Sequence, residues 1–591
     1  RGFTAAARTI SRNPGPAPGV QGNVPVTRNP EENAMRYAPL LAILLAAVPG
    51  PVAADDMDGD PLAPLPAAEW TPAHAAHLLR RAGFGGTPED VAALHALGLD
   101  AAVDRLLAFE GKPDPALPPA PIPLTARPGR DEFQGLTQEQ RQELGREYRR
   151  KDQLQYAAIR EWWMQVMCST RHPLRERLVL FWHGHFTSSY RDVRNSYHMY
   201  VQNTLFRRHA AGSFRDLLHA VSKDPAMLEY LDNNRNRKAH PNENYAREVM
   251  ELFALGEGNY TEEDIREGAR ALTGWTFVGN RFHFDARQHD AGPKTIFGKT
   301  GAYDGAAFLD LILDHPACPR YIARRLYTYF AHPFPDERIV DGLARTLKRS
   351  DYRIAPVLAQ LFRSRAFYSE YAVGTKIKGP VEFFVMLHRS LGLDARLANG
   401  YSFLAQSLGQ SIMDPPNVKG WPGGREWVTT STLLSRYNLA GALVGLPQDK
   451  ARAGQSDRAA RMMQRLQRMR RTDPNGEEDD GMAPDMGGDR DRDGDARGRR
   501  RGGRGGRDRA QVATYDVLRE VQARGLDSPE RIVDHYCAVL LAGPATDEMR
   551  AAFLAYLAQD GGLDLARPFL ARDKLHGLLR LIVSTPEFQL S

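Results

Sequence analysis

Two glutamates three residues apart, Glu248 and Glu251, are the side chains of this sequence best placed to do chemistry. They lie in residues 242–277, NENYAREVMELFALGEGNYTEEDIREGARALTGWTF. Carboxylates on one helical face can exchange a proton as general acid and base, or share a divalent metal. Asn244 and Arg247 fall on the same face and would hold a polar ligand beside them. The alternative for the same residues is an ion-pair network that locks two helices and catalyses nothing.

A second group is Trp182-His183-Gly184-His185-Phe186. Imidazoles at i and i+2 point to nearly opposite sides of a helix, so a shared metal requires Gly184 to end the helix and His185 to turn inward. A third ligand would come from Glu248, His289 or Asp290; structural histidines are the alternative. His289, Asp290 and Lys294 lie in a Gly-rich loop, HDAGPKTIFGKTG, which reads as a catalytic pocket rim or an ordinary hairpin. It is no phosphate loop, because five residues separate Gly292 from Gly298 where the motif has four. Trp421 and Trp427 in VKGWPGGREW offer a stacking platform for a ligand or plugs for the core. Trp275 and Arg436 are further ligand-binding candidates, and neither a Gly-x-Ser-x-Gly elbow nor a His-Glu-x-x-His pair occurs.

These side chains must be positioned by helices. Tyr245, Val249, Leu252 and Phe253 recur at a 3.6-residue period, which predicts one α-helix over 243–255, ended by Gly256. Thr261 with Asp264 three residues on predicts a capped second helix, to which Arg266, Glu267 and Arg270 add charge. Helical patterns also cover 73–107, 137–168 and the stretch after Thr170, where Leu174, Leu178, Phe181 and Trp182 should face the core. Strand signals are confined to 276–284 and 294–297. The fold class is therefore predominantly α, a large multi-helical domain with few short strands. A weak helical duplication relates 321–368 to 531–589, each closing on a similar run, VLAQLFRSRAFY and LLRLIVSTPEFQ. Residues 73–450 and 512–591 form one helical core, interrupted by an Arg/Gly/Asp-rich stretch, 451–511, too poor in apolar residues to fold.

The chain has 591 residues, 42% of them hydrophobic, enough to bury a sizeable core. A net charge of +6 is small for that length and gives no argument for a nucleic-acid partner. Three cysteines allow at most one internal disulfide, and Cys168 and Cys537 sit in apolar surroundings as inert thiols. Met35, Arg36, the apolar stretch 37–48 and Val52-Ala53-Ala54 have the layout of a secretory signal peptide, too short to span a membrane. The expectation is export to the periplasm or beyond, translation from Met35, residues 1–34 as a gene-model extension, and 55–72 as a linker.

The ordered motifs WHGHFTSS, PAMLEYLDNN, NENYAREVMELFALG, YTEEDIREGARALTGW, HDAGPKTIFG and GWPGGREWV resemble the bacterial family called domain of unknown function 1800. The opening AAHLLRRAGFGG and closing STPEFQLS are also similar to that family's ends, so the resemblance runs from about Ala73 to the C-terminus. It implies an exported, largely helical protein, with a protein partner from a neighbouring sulfatase- or phosphatase-like family. No active site comes with it. The residues leave two readings: a binding or assembly protein with a polar pocket, or a metal-dependent or hydrolase-like enzyme using the His, Glu and Asp side chains above.

Overall fold

Many helices start where a capping side chain precedes proline or a carboxylate. Thr71, Thr87, Asp224 and Ser528 each accept a backbone N–H three residues on, with proline next in the chain. Such a cap satisfies an otherwise orphaned donor, and proline there forfeits no hydrogen bond. The computed structural model describes residues 59–116, 120, 127–444 and 515–591. The gene-model extension 1–34, the signal-peptide reading of 35–54 and the whole 451–511 insertion lie outside these residues.

The elements that position the polar side chains are α1 (Pro72–Ala82), α2 (Gln138–Ser169), α3 (Pro173–His185), α4 (Pro225–Tyr230), α5 (Asn244–Glu248), α6 (Glu262–Ala271), α7 (Ala317–Phe330), α8 (Pro380–Ser390) and α9 (Thr430–Leu443). The protein is predominantly α-helical. Among the described residues there are only two sheets, each a two-stranded antiparallel hairpin. In the first, β1 (Trp275–Val278) pairs with β2 (Arg281–Phe284); in the second, β3 (Lys294–Ile296) pairs with β4 (Lys299–Gly301). The strand signals thus resolve into tight hairpins. Phe297 and Gly298, both at positive φ (49° and 72°), turn the second.

Helix α3 is the axis of the fold. Every residue from Pro173 to His183 is buried, as expected for a helix surrounded by others. Leu174, Leu178, Phe181 and Trp182 lie in the main core, and Glu176 of α3 finds its partners within it. Glu176 accepts from Arg207 at both oxygens (2.8 Å each) and from the Trp163 indole at 3.2 Å. Helix α8 is buried on nearly all sides as well. The C-terminal helices pack into the same core, through Ile532, Tyr536, Leu575 and Leu579. The two similar stretches have the same order, three helices and a closing 3-10 turn: Ala317–Phe330, Glu337–Arg349, Ile354–Arg363 and Arg365–Tyr368, against Pro529–Leu540, Asp547–Ala558, Pro568–Val583 and Glu587–Gln589.

Two details differ from the sequence reading. Helix α3 does not stop at Gly184 but continues to His185. The glycine faces the Trp421 ring, and a Cβ on it would make an ordinary contact there, at 3.4 Å. And the 243–255 segment is not one α-helix. After α5 it widens into a π-helix, Val249–Ala254.

Candidate functional site

The π-helix is held open by side chains from outside it. The Leu255 and Gly256 N–H groups both bond back to the Met250 carbonyl, at 2.9 and 3.1 Å. This wide turn leaves carbonyls without the usual partner, and three donors supply one. Tyr321 on α7 donates to the Leu252 carbonyl (2.6 Å), His185 Nε2 to Phe253 (2.9 Å) and Asn259 Nδ2 to Leu255 (3.0 Å). π-Turns are uncommon and concentrate at functional sites. Tyr321→Phe removes one of the three donors and leaves a carbonyl unsatisfied, so it is expected to cost about 1–3 kcal/mol. Urea denaturation would measure this, and amide exchange around Leu252 should rise.

Glu248 and Glu251 sit on this junction. Tyr260, carried back over the turn by the loop after Gly256, donates its hydroxyl to Glu251 at 2.8 Å. Glu248 is half-buried, and among the described residues no hydrogen bond or ion pair holds its carboxylate. Burial raises its pKa, the neighbouring Glu251 charge raises it further, and Arg247 and Lys419 oppose the shift. Tyr230, on α4, feels the Glu248 charge. From the other side comes the Gly/Pro loop bearing Lys419 and Trp421. Gly420 lies against the Gly184 carbonyl, and the Trp421 indole donates to the Ser411 carbonyl at 3.0 Å. Asp414, in the same loop, binds Ser189 Oγ (2.6 Å) and Arg191 Nε (3.0 Å). Three motifs therefore act at one carboxylate: α4, the α5–π segment and the loop of Lys419 and Trp421, which in turn packs on the end of α3.

The other candidates lie elsewhere. Arg247 reaches Glu262 with two bonds (2.9 and 2.8 Å) and Glu243 at 3.3 Å, which ties α5 to α6. That part of the polar face is a lock. Asn244 is exposed and its N–H takes the Asn242 side chain at 3.0 Å. His289, Asp290 and Lys294 form a second network on α6 and the β3–β4 hairpin. Asp290 accepts from Arg270 Nε at 2.8 Å, and the His289 Nδ1 lies 2.9 Å from the Thr273 carbonyl. Lys294 donates to the Asp290 and Gly292 carbonyls (2.6 and 2.9 Å), and burial lowers its pKa. These three side chains bind α6, Thr273 just beyond its end and their own loop rather than Glu248. Trp275 is buried with Lys223 over its ring at 5.5 Å. Trp427 belongs to a small separate core with Ile377, Leu433 and Tyr437, and Arg436 is fully buried on α9. Of the two tryptophans in the loop, Trp421 is the one that packs on α3, at Gly184.

The structure does not gather His183 and His185 at one point. His183 packs among Trp163 and Phe206, ring centroids 5.0 and 4.9 Å away. His185 meets a carbonyl, which only accepts, so its Nε2 carries the proton. Burial drives both pKa values down to about 3, so both rings are neutral. Among the described residues, no three His, Cys, Asp or Glu side chains are grouped as a metal ion requires. The three thiols are free and buried, with burial raising their pKa values. Sequence reasoning missed Tyr230, Tyr260, Tyr321 and Lys419. Lys419 stood beside Trp421 in plain view, whereas the tyrosines are brought in by the turn after Gly256 and by the packing of α4 and α7.

Residues 77–590 match the family described as Protein of unknown function (DUF1800). No curated protein and no solved structure matches the chain.

Proposed function

The chain belongs to the DUF1800 family, and we propose that it is a binding protein whose recognition site is the Glu248–Glu251 pair on the π-turn. The ligand class is a cationic group, an amine or guanidinium. The observation that carries this reading is Glu248 itself, a half-buried carboxylate with no partner, beside a second carboxylate held by Tyr260. A charge kept out of water and unpaired costs stability, which is the signature of a group retained for a ligand. Tyr230 and Tyr260 act on this carboxylate pair and Trp421 shares a loop with Lys419, and their aromatic faces suit a cation. Export fits this role. It rests on the leader-like residues 35–54, and among the described residues no helix is long and apolar enough to cross a membrane.

The test is calorimetric titration with 1,3-diaminopropane and with arginine methyl ester. Glu248→Gln is expected to weaken binding of whichever binds by roughly 10- to 100-fold, the worth of a charge-assisted hydrogen bond. The same variant is expected to unfold at a higher temperature than the parent at neutral pH. The sign follows from the raised pKa: the folded state holds the proton more tightly, so stability falls as pH rises from the ordinary glutamate range through the folded value, and glutamine removes that loss. Equal affinity in parent and variant would refute the site. A second reading has its own support, because a carboxyl with a raised pKa beside a second carboxyl can carry a proton in acid–base catalysis.

A further inference from the structure

The interior around Glu382 holds more positive charge than the protein balances. This carboxylate, at the start of α8, pairs with Arg177 of α3 and with Lys376 Nζ at 3.1 Å. It also acts electrostatically on Arg81 of α1, on Lys378 and on Arg436. Arg81, Arg177 and Arg436 are fully buried, and a guanidinium does not give up its proton. Three such charges face one carboxylate. Even a second negative charge at Ser591, whose oxygen takes the Lys376 main-chain N–H at 3.4 Å, leaves a guanidinium in surplus, with Lys376 added.

The hydrogen-bond inventory points the same way. Arg81 uses only Nη2, on the Ala372 carbonyl, while its Nε and Nη1 are buried without a partner. Arg177 is sandwiched between the Phe84 and Tyr329 rings (5.2 and 5.0 Å), and its Nε and Nη1 are buried and unpartnered as well. All four are obligatory donors, so what is missing is an acceptor. Water would satisfy the donors and leave the surplus charge, whereas an oxyanion meets both. Lys376 gives the way in: its side chain is 17% exposed, and its amine lies 2.8 Å from the Tyr329 carbonyl and 4.4 Å from the Tyr329 ring.

We propose that Arg81, Arg177 and Lys376 form an internal oxyanion site that takes a phosphate or sulfate group, with Lys376 at its mouth. This site is independent of the Glu248–Glu251 pair. Lys376 faces Glu382, Arg177, Arg81 and Tyr329, and burial lowers its pKa to about 7. A bound anion favours the charged amine, so binding takes up protons near neutral pH, and affinity falls as pH rises above 7.

The test is isothermal titration of the full chain with sulfate, inorganic phosphate and methyl phosphate, at constant ionic strength set with chloride. Saturable 1:1 binding is expected, with sulfate taking up about half a proton per site near pH 7, read from buffers of different ionisation heat. Methyl phosphate binding as well as phosphate would place an ester at the site; phosphate alone would place the free ion. Lys376→Gln, at the exposed edge, is expected to weaken sulfate at least tenfold and abolish proton uptake, while the surface variant Lys348→Gln changes neither. Absence of saturable binding in the parent chain would overturn the proposal. So would binding that Lys376→Gln leaves intact, and the pH dependence in the parent decides the matter if that variant does not fold.

Discussion

Replacing Glu382 by glutamine is expected to lower folding stability by about 3–5 kcal/mol, the usual cost of removing one partner from a buried ion pair. The variant keeps an acceptor for the Gly379 N–H, which bonds Glu382 at 2.8 Å, but it removes the negative charge that Arg177, Lys376, Arg81, Lys378 and Arg436 face. Burial alone would raise the Glu382 pKa; Arg177, Lys376 and the Gly379 N–H outweigh it and hold the carboxyl down at about 2. A folded value below the unfolded one gives stabilisation that is complete above about pH 4.5 and lost as pH falls toward 2. Glu382→Gln should therefore shift the urea midpoint strongly at pH 7 and flatten the acid limb of the stability curve. A loss under about 1 kcal/mol would show that the cluster is not charge-coupled as described. Partial recovery of the variant by sulfate would connect this result with the oxyanion site.

Gly420→Ala is expected to have the second largest effect, on the order of 2–4 kcal/mol, because two faults coincide there. The residue sits at φ 93°, and a Cβ would lie 2.3 Å from the Gly184 carbonyl oxygen and 3.2 Å from its carbon. Both neighbours are backbone of α3, so nothing flexible can yield. The loop would have to lift, carrying Lys419 and Trp421 away from Glu248 and weakening the cationic ligand together with the fold. Gly184→Ala is the matched control. Its added Cβ meets the Trp421 ring at 3.4 Å, an ordinary contact, and the expected cost is that of a mild surface adjustment. Thermal unfolding of the two variants separates them, and near-equal midpoints would contradict the close approach.

How far the sequence carried can be seen at particular residues. Leu174, Leu178, Phe181 and Trp182 announced α3 by period, and Thr261 with Asp264 announced the cap of α6, because both signals are local. The π-turn was not legible. Its apolar residues keep a period close enough to helical, and the turn depends on Tyr321 and His185, which are 69 and 68 residues from the carbonyls they bind. Arg247 shares a face with Glu248 and Glu251 by period, but its partner, Glu262, lies across the turn, which made a lock indistinguishable from a site wall. The Glu382 cluster did leave a trace: Lys376, Lys378 and Glu382 stand in an otherwise apolar stretch, and Arg80-Arg81 adjoin Ala82-Gly83-Phe84. Charges in such settings are either exposed or internally paired, and only the packing of α1, α3 and α8 shows which.

The proposed cation site turns on Glu248, a half-buried carboxylate with no partner among the described residues. Its most direct test is the titration of the Glu248 carboxyl carbon by NMR, assigned by difference from Glu248→Gln, with and without 1,3-diaminopropane. The expected result is a pKa above the ordinary glutamate value in the free protein, moving down when the diamine binds and its charge replaces the missing partner. A Glu248 that titrates at the ordinary value and does not respond to the diamine would contradict the account.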